Sequence, residues 1–134
     1  MPAVLPDRVK SLLDGKVFIV VGTLQPDGGP QMSPVWVKRD GDDILFSTTA
    51  DRRKKKNLDR DPRVTVVVMN PEQPYEYAEI RGTAEMTTDG GAELIDELSE
   101  KYTGQKYADF NPASANDAQR VVVRITPDKV VGML

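Results

Sequence analysis

The chain has 134 residues, a formal net charge of −3 and a pI near 5.0, which suits one domain able to bury a single sizeable core. It contains no cysteine and no histidine, so disulfides, thiolate metal sites, His-ligated zinc or haem, and any triad built on a His base are excluded. The acidic balance argues against a general nucleic-acid binder, and the longest apolar run, residues 17–21, is too short to span a bilayer.

Residues 1–4 read as a tail. Pro6 and Asp7 open a short helix with Val9, Leu12 and Leu13 as its apolar stripe and Gly15 as its cap. Its expected role is to cover an open end or edge of a sheet. No signal-peptide pattern precedes it, so a cytoplasmic location is the default expectation. Residues 16–24 contain Val17-Phe18-Ile19-Val20-Val21, a β-branched run expected to form a central strand buried on both faces. Pro26-Asp27-Gly28-Gly29 is a turn, and residues 31–39 are expected to pair back as the second strand of a hairpin. Alternation puts Met32, Pro34 and Trp36 on one face and Ser33, Val35 and Val37 on the other. Pro34 has no N–H to give to a ladder and therefore belongs at an edge or a bulge. The same gap leaves room for a ligand to approach the backbone; edge protection is the simpler alternative.

Asp40-Gly41-Asp42 makes the next turn, and residues 43–48 the third strand. The chain then turns basic at Arg52-Arg53-Lys54-Lys55-Lys56, in a short helix expected over residues 52–60 and closed by Asp61-Pro62. Cations in a first helical turn oppose the macrodipole, at roughly a few tenths of a kcal/mol each. An anion held by the first-turn N–H groups, the hydroxyls of Ser47, Thr48 and Thr49, and the cationic side chains would turn that liability into a binding site. A solvated charged helix face is the alternative reading.

Residues 63–69 form the next expected strand, 70–74 a loop and 75–87 a long strand. There Ala78, Ile80, Gly82, Ala84 and Met86 face the core, while Tyr75, Tyr77, Glu79, Arg81 and Glu85 face outward. Gly82 marks a bulge or a close backbone approach. Tyr75 and Tyr77 stack on a planar ligand, seal a subunit interface, or are ordinary surface tyrosines. A helix over residues 90–102 turns Leu94, Ile95 and Leu98 to one side. Residues 101–117 are a polar linker with Tyr102, Tyr107 and Phe110, either a pocket rim or simply mobile. The last strand spans 118–126 and extends past Pro127 through Val130-Val131. Strands with short turns and a few small helices imply a mainly-β fold, a closed antiparallel barrel. In an enzyme without histidine or cysteine, a bound cofactor would carry the difficult chemistry.

Four segments, in their order and spacing, now carry a resemblance: the hairpin Asp27-Gly28-Gly29-Pro30-Gln31-Met32-Ser33-Pro34-Val35; the stretch from Phe46 to Lys54; Asn57-Leu58-Asp59-Arg60-Asp61-Pro62-Arg63-Val64; and Ile80-Arg81-Gly82-Thr83-Ala84-Glu85. Over nearly its whole length the chain resembles the split β-barrel flavin- and deazaflavin-binding proteins related to pyridoxamine 5′-phosphate oxidase. Within them it looks most like the small oxidoreductases that use coenzyme F-420, a deazaflavin with a phosphate and an oligoglutamate tail. The resemblance implies one six- to seven-stranded split-barrel domain over residues 1–134. It implies that Ser47, Thr48 and Thr49 meet the phosphate region, that Arg52 and Lys54 pair with the phosphate, and that Asn57 supports the loop. The backbone of Ser33, Pro34 and Val35 would lie along the ring. Such proteins are homodimers with the site at the interface, so Tyr75 and Tyr77 would reach a cofactor in their own or the partner subunit.

The implied activity is hydride transfer from the reduced deazaflavin to an electron-poor small molecule, an activated alkene or a quinone-like compound. The surplus cations Arg53, Lys55 and Lys56 suit a polyanionic tail better than the single phosphate of FMN, which stays the alternative cofactor. An FMN-dependent oxidoreductase and a non-catalytic deazaflavin carrier are the alternative functions. No residue stands out as catalytic, and no metal site, nucleic-acid partner or membrane span is expected. The pyridoxamine phosphate oxidases grip substrate with Arg and His in a C-terminal segment; here the sequence reads Val130-Val131-Gly132-Met133-Leu134. The haem-handling relatives need a His. Both departures favour the deazaflavin branch.

Overall fold

The computed structural model describes residues 2–112 and 119–132. Its elements in chain order are α1 (Asp7–Asp14), β1 (Ile19–Leu24), β2 (Pro30–Val35), β3 (Lys38–Asp40), β4 (Asp43–Thr49), α2 (Arg53–Arg60), β5 (Arg63–Asn70), β6 (Gln73–Thr87), α3 (Gly91–Thr103), α4 (Tyr107–Phe110) and β7 (Arg120–Gly132). The expected start of the last strand at Ala118, the linker residues 113–117, Met1, Met133 and Leu134 lie outside the described residues.

The strands form one seven-stranded sheet in the order β2-β1-β5-β6-β7-β4-β3, with every pairing antiparallel. Hairpins join β1 to β2 and β3 to β4, and β5, β6 and β7 follow one another as a meander. The mainly-β split barrel expected from the sequence is therefore present. Its two open edges, β2 and β3, are consecutive in the chain and separated only by Trp36 and Val37. Ladder bonds end there, and side chains of α3 take their place. The Tyr102 hydroxyl accepts from Val37 N (3.1 Å) and donates to Val17 O (2.5 Å), while Lys101 Nζ donates to Leu13 O (2.9 Å) and Val37 O (2.7 Å). Buried backbone groups without strand partners need such substitutes.

Inward-facing positions alternate as a sheet requires. Ile19 and Val21, Ile44 and Phe46, Val64, Val66 and Val68, Ala78, Ile80 and Ala84, and Val123 and Ile125 converge on one core, which Leu5, Val9, Leu12 and Leu13 close from the α1 end. Each fully buried aliphatic or aromatic side chain there contributes about 1.5–3 kcal/mol relative to exposure. A smaller cluster, Leu45, Leu94, Leu98 and Val122 with Trp36 and Tyr102, fixes α3 on the outer face of β4 and β7. Gly82 combines both expected features. The β6–β7 register shifts between Arg81 and Gly82, and a Cβ there would lie 2.4 Å from Thr126 O.

Several expectations need correction. Residues 31–39 are not one strand, because the chain changes partner at Trp36–Val37, between the two edges of the sheet. The run 16–24 is not buried throughout: Phe18 is 59 % exposed, covered only in part by the Tyr102 ring of α3, whose centroid lies 5.9 Å away, and Val20 and Leu24 are half-buried. The loop expected at 70–74 shrinks to Pro71-Glu72, with β6 beginning at Gln73. The linker 101–117 contains the end of α3 and the short α4. Among the described residues, no helix is long and apolar enough to cross a membrane.

Candidate functional site

Where β4 runs out, Ser47-Thr48-Thr49 leads through a tight turn into α2. Arg52 N donates to Thr49 O (3.1 Å), and Arg52 is the N-terminal cap residue, in extended conformation. No side chain caps the helix, so its first-turn N–H groups keep their donor capacity. The basic sequence gives the helix a buried side and a solvated side. Lys54, Asn57 and Leu58 turn inward, whereas Arg52, Arg53 and Lys56 are exposed. Lys55 is engaged by Asp59 one turn on (2.7 Å). Leu58 joins the main core, and Asn57 Nδ2 donates to Thr23 Oγ1 of β1 (3.1 Å). These contacts hold α2 against the barrel.

A cleft of about 220 Å3 opens beside this junction. Its polar side is Ser47, Thr48, Thr49, Arg52, Lys54 and, from β7, Arg120. Its apolar side is Phe18, Pro34, Val35, Trp36, Ile95 and Leu98. Among the described residues, no carboxylate lines it. Asp51 is adjacent in sequence but fully exposed; the Thr49 hydroxyl bonds its carboxyl and, with Arg52 and Lys56 nearby, holds it below the usual carboxylate range. Lys54 is only 8 % exposed. Burial first, and the like charge of Arg52 second, lower its ammonium pKa; among the described residues it has no ion pair or hydrogen bond.

Polar atoms tell the same story. Among the described residues, the buried side-chain atoms without a hydrogen-bond partner are Gln31 Oε1, Ser33 Oγ, Ser47 Oγ, Thr48 Oγ1 and Asn57 Oδ1. A buried polar group left unmade costs about 1–3 kcal/mol. Two of these, at Ser47 and Thr48, sit on the cleft beside an unpaired buried lysine. The donor set fits an anionic ligand with several acceptor oxygens.

Of the residues singled out from the sequence, Pro34, Val35, Ser47, Thr48, Thr49, Arg52 and Lys54 meet at the cleft. Ser33 lies on β2 next to it without lining it. Asn57 is fully buried and holds α2 in place from behind. Tyr75, 82 % exposed, and Tyr77, opposite Met69 on the outer side of β6, are not brought to this protomer's cleft. Sequence reasoning missed Phe18, Trp36, Ile95, Leu98 and Arg120, which reach the cleft only through tertiary packing. The pairing of Arg120 with Thr49 across β7 and β4 is the contact that places it there.

Three comparisons set this geometry in context. The chain is similar to a solved structure named F420 reductase, with 30 % identity over 95 % of this chain and 98 % of that one and a TM-score of 0.82. A conserved hypothetical protein of Mycobacterium tuberculosis shares the fold at 22 % identity, covering 96 % of this chain and 84 % of that one, with a TM-score of 0.75. A putative pyridoxamine 5′-phosphate oxidase from Listeria innocua does so at 19 % identity, covering 93 % and 94 %, with a TM-score of 0.70. The family model described as pyridoxamine 5′-phosphate oxidase matches residues 5–133. With that match running from α1 through β7, the chain belongs to the pyridoxamine 5′-phosphate oxidase family, a family of oxidoreductases, in its split-barrel form.

Proposed function

We propose that the chain is a coenzyme F-420-dependent reductase acting on an electron-poor small molecule, an activated alkene or a quinone-like compound. The observation that carries this reading is the junction of β4 and α2, where, among the described residues, orphaned Ser47 and Thr48 hydroxyls, Arg52 and the unpaired buried Lys54 share a cleft with no carboxylate. Similarity to an F420 reductase over nearly the whole of both chains supports the choice of cofactor.

In this reading the hydroxyls of Ser47 and Thr48 bond the phosphate oxygens, with Thr49 beside them, and Arg52 and Lys54 neutralise its charge. Pro34 and Val35 flank the ring system, with Trp36 and Phe18 on the apolar wall excluding water. The bound cofactor supplies a hydride. The protein contributes mainly by holding two planar systems in register. Among the described residues the cleft offers no carboxyl, and in this reading the proton that completes an alkene reduction comes from water or from a tyrosine of a second copy. Phe18, Met32 and Pro34 continue outward from the cleft as an uncovered apolar face, with Phe18 and Met32 59 % and 51 % exposed. That face suits a homodimer with the cleft at its edge, in which Tyr75 and Tyr77 approach the partner's site.

FMN is the second reading, because the phosphate-binding set serves either cofactor. Side-by-side titration of the apoprotein with coenzyme F-420 and FMN decides between them. Micromolar or tighter F-420 binding with much weaker FMN binding is the expected result. Preference for FMN moves the protein to the flavin branch, and binding of neither returns α2 to a solvated charged face.

A further inference from the structure

Arg120 is the one cleft cation that the phosphate reading leaves unused. It opens β7 directly opposite Thr49 of β4. Its backbone is pinned from above: a Cβ on Gly91, at the start of α3, would lie 2.7 Å from Arg120 O and 3.0 Å from Arg120 Cβ. The side chain crosses to α4, where Nη2 donates to the Tyr107 hydroxyl (2.7 Å) and the guanidinium stacks 4.6 Å from the Tyr107 ring centroid. The same hydroxyl accepts from Asn111 Nδ2 (3.3 Å), and Tyr107 N is held by Asp96 Oδ1 of α3 (2.9 Å).

Among the described residues, this arrangement orients the guanidinium with no carboxylate to neutralise it. Elsewhere Arg8, Arg39, Arg63, Arg81 and Arg124 each bond a carboxylate. Arg120 instead has a phenol as its partner, and a guanidinium carries five donors in a planar fork. A phosphate ester brings at most about two negative charges at neutral pH, which Arg52 and Lys54 already match. Among the described residues no acid lines the cleft to receive the charge on Arg120, which is therefore left over.

We propose that Arg120 binds a second anionic group of the ligand, separate from the phosphate held at Ser47, Thr48 and Lys54, with Tyr107 holding the guanidinium ready. The site thereby selects an organic phosphate carrying a further acidic group over a simple phosphate monoester. This rests on the cofactor reading above and names what in the cleft would separate F-420 from FMN.

The test is calorimetric titration of the full chain and its Arg120→Gln, Arg120→Lys and Lys54→Ala variants with coenzyme F-420 and with FMN, at low and high salt. Thermal melts confirm that each variant is folded. Arg120→Gln is expected to lose about tenfold or more in F-420 affinity, the range for a charge-assisted bond, and much less for FMN. Arg120→Lys is expected to recover part of that loss. The gap between wild type and Arg120→Gln is expected to narrow at high salt, as screening weakens an ionic contact. Equal losses on both cofactors, a loss indifferent to salt, no recovery in Arg120→Lys, or unchanged F-420 affinity in Arg120→Gln alongside a weakened Lys54→Ala each overturn the proposal while leaving the phosphate site standing. Unchanged affinity in both Arg120→Gln and Lys54→Ala overturns the cofactor reading itself.

Discussion

Two concave regions flank α3, and they differ in charge pairing more than in size. The groove beneath the helix, lined by Lys38, Leu45, Glu85, Glu93, Glu97 and Arg124 among others, is the larger, at about 390 Å3. Each of its cations is bonded: Lys38 to Glu97 (2.5 Å), and Arg124 to Asp40 (3.0 Å) and Asp43 (2.9 Å). The cleft at the β4–α2 junction has about 220 Å3 and, among the described residues, a buried lysine without a partner and the Ser47 and Thr48 hydroxyls with nothing to bond. In one region the chain pairs its own charges; in the other, the proposed site, it leaves them for a ligand. Volume alone does not separate the two. Unmade bonds in a native interior are expensive enough to require a reason.

The contrast is broken most directly at the cleft. Lys54→Ala or Arg52→Ala is expected to weaken F-420 binding by about 1.5–3 kcal/mol, the range for hydrogen bonds to charged groups, measured by fluorescence or calorimetric titration. Unchanged affinity in both variants would remove the site assignment. Next comes the support behind the cleft. Asn57→Ala removes the Thr23 bond at full burial and is expected to cost about 1–3 kcal/mol of stability, read as a lowered denaturation midpoint with an unchanged slope.

A smaller effect of opposite sign sharpens the comparison. Lys54→Met keeps the length of the side chain and removes its buried charge, so the ligand-free protein is expected to gain about 1 kcal/mol while ligand affinity falls. The pH dependence follows from the same residue. The folded-state pKa of Lys54 lies below its ordinary value, so its destabilising charge is fully present below that folded pKa. The cost is relieved as pH rises from there toward the unfolded value. Anion binding needs the protonated form, so F-420 affinity is expected to fall in that same alkaline range, and Lys54→Arg to flatten the profile. The smallest change is at the groove. Lys38→Ala breaks an exposed ion pair worth about 0–1 kcal/mol and is expected to leave cofactor affinity untouched. A clear loss of affinity there would mean that the two regions are coupled.

Much of this was readable in the sequence. Turn residues and alternation located nearly every strand, and the basic run after Ser47-Thr48-Thr49 marked the junction where the unmade bonds collect. What was hidden is non-local. The break at Trp36–Val37 leaves the alternation of Val35 and Val37 intact, because a strand that changes sheet edge need not change its pattern. Phe18 reads as core until its place on the wall of the open cleft is seen. Arg120 sits in an ordinary β-branched strand, and only its register with Thr49 brings it to the cleft. At four residues, α4 is too short to show a period.

The place of β7 has a consequence for biosynthesis. It is the strand that joins β6 to β4, so a nascent chain that has not yet delivered it holds the β2-β1-β5-β6 and β3–β4 parts of the sheet without ladder bonds between them. Thr48 and Thr49 lack their partners Val121 and Arg120 until that moment. The β7 wall of the cleft is therefore completed last, and a premature stop upstream of Arg120 leaves exposed strand edges, a form suited to aggregation or proteolysis.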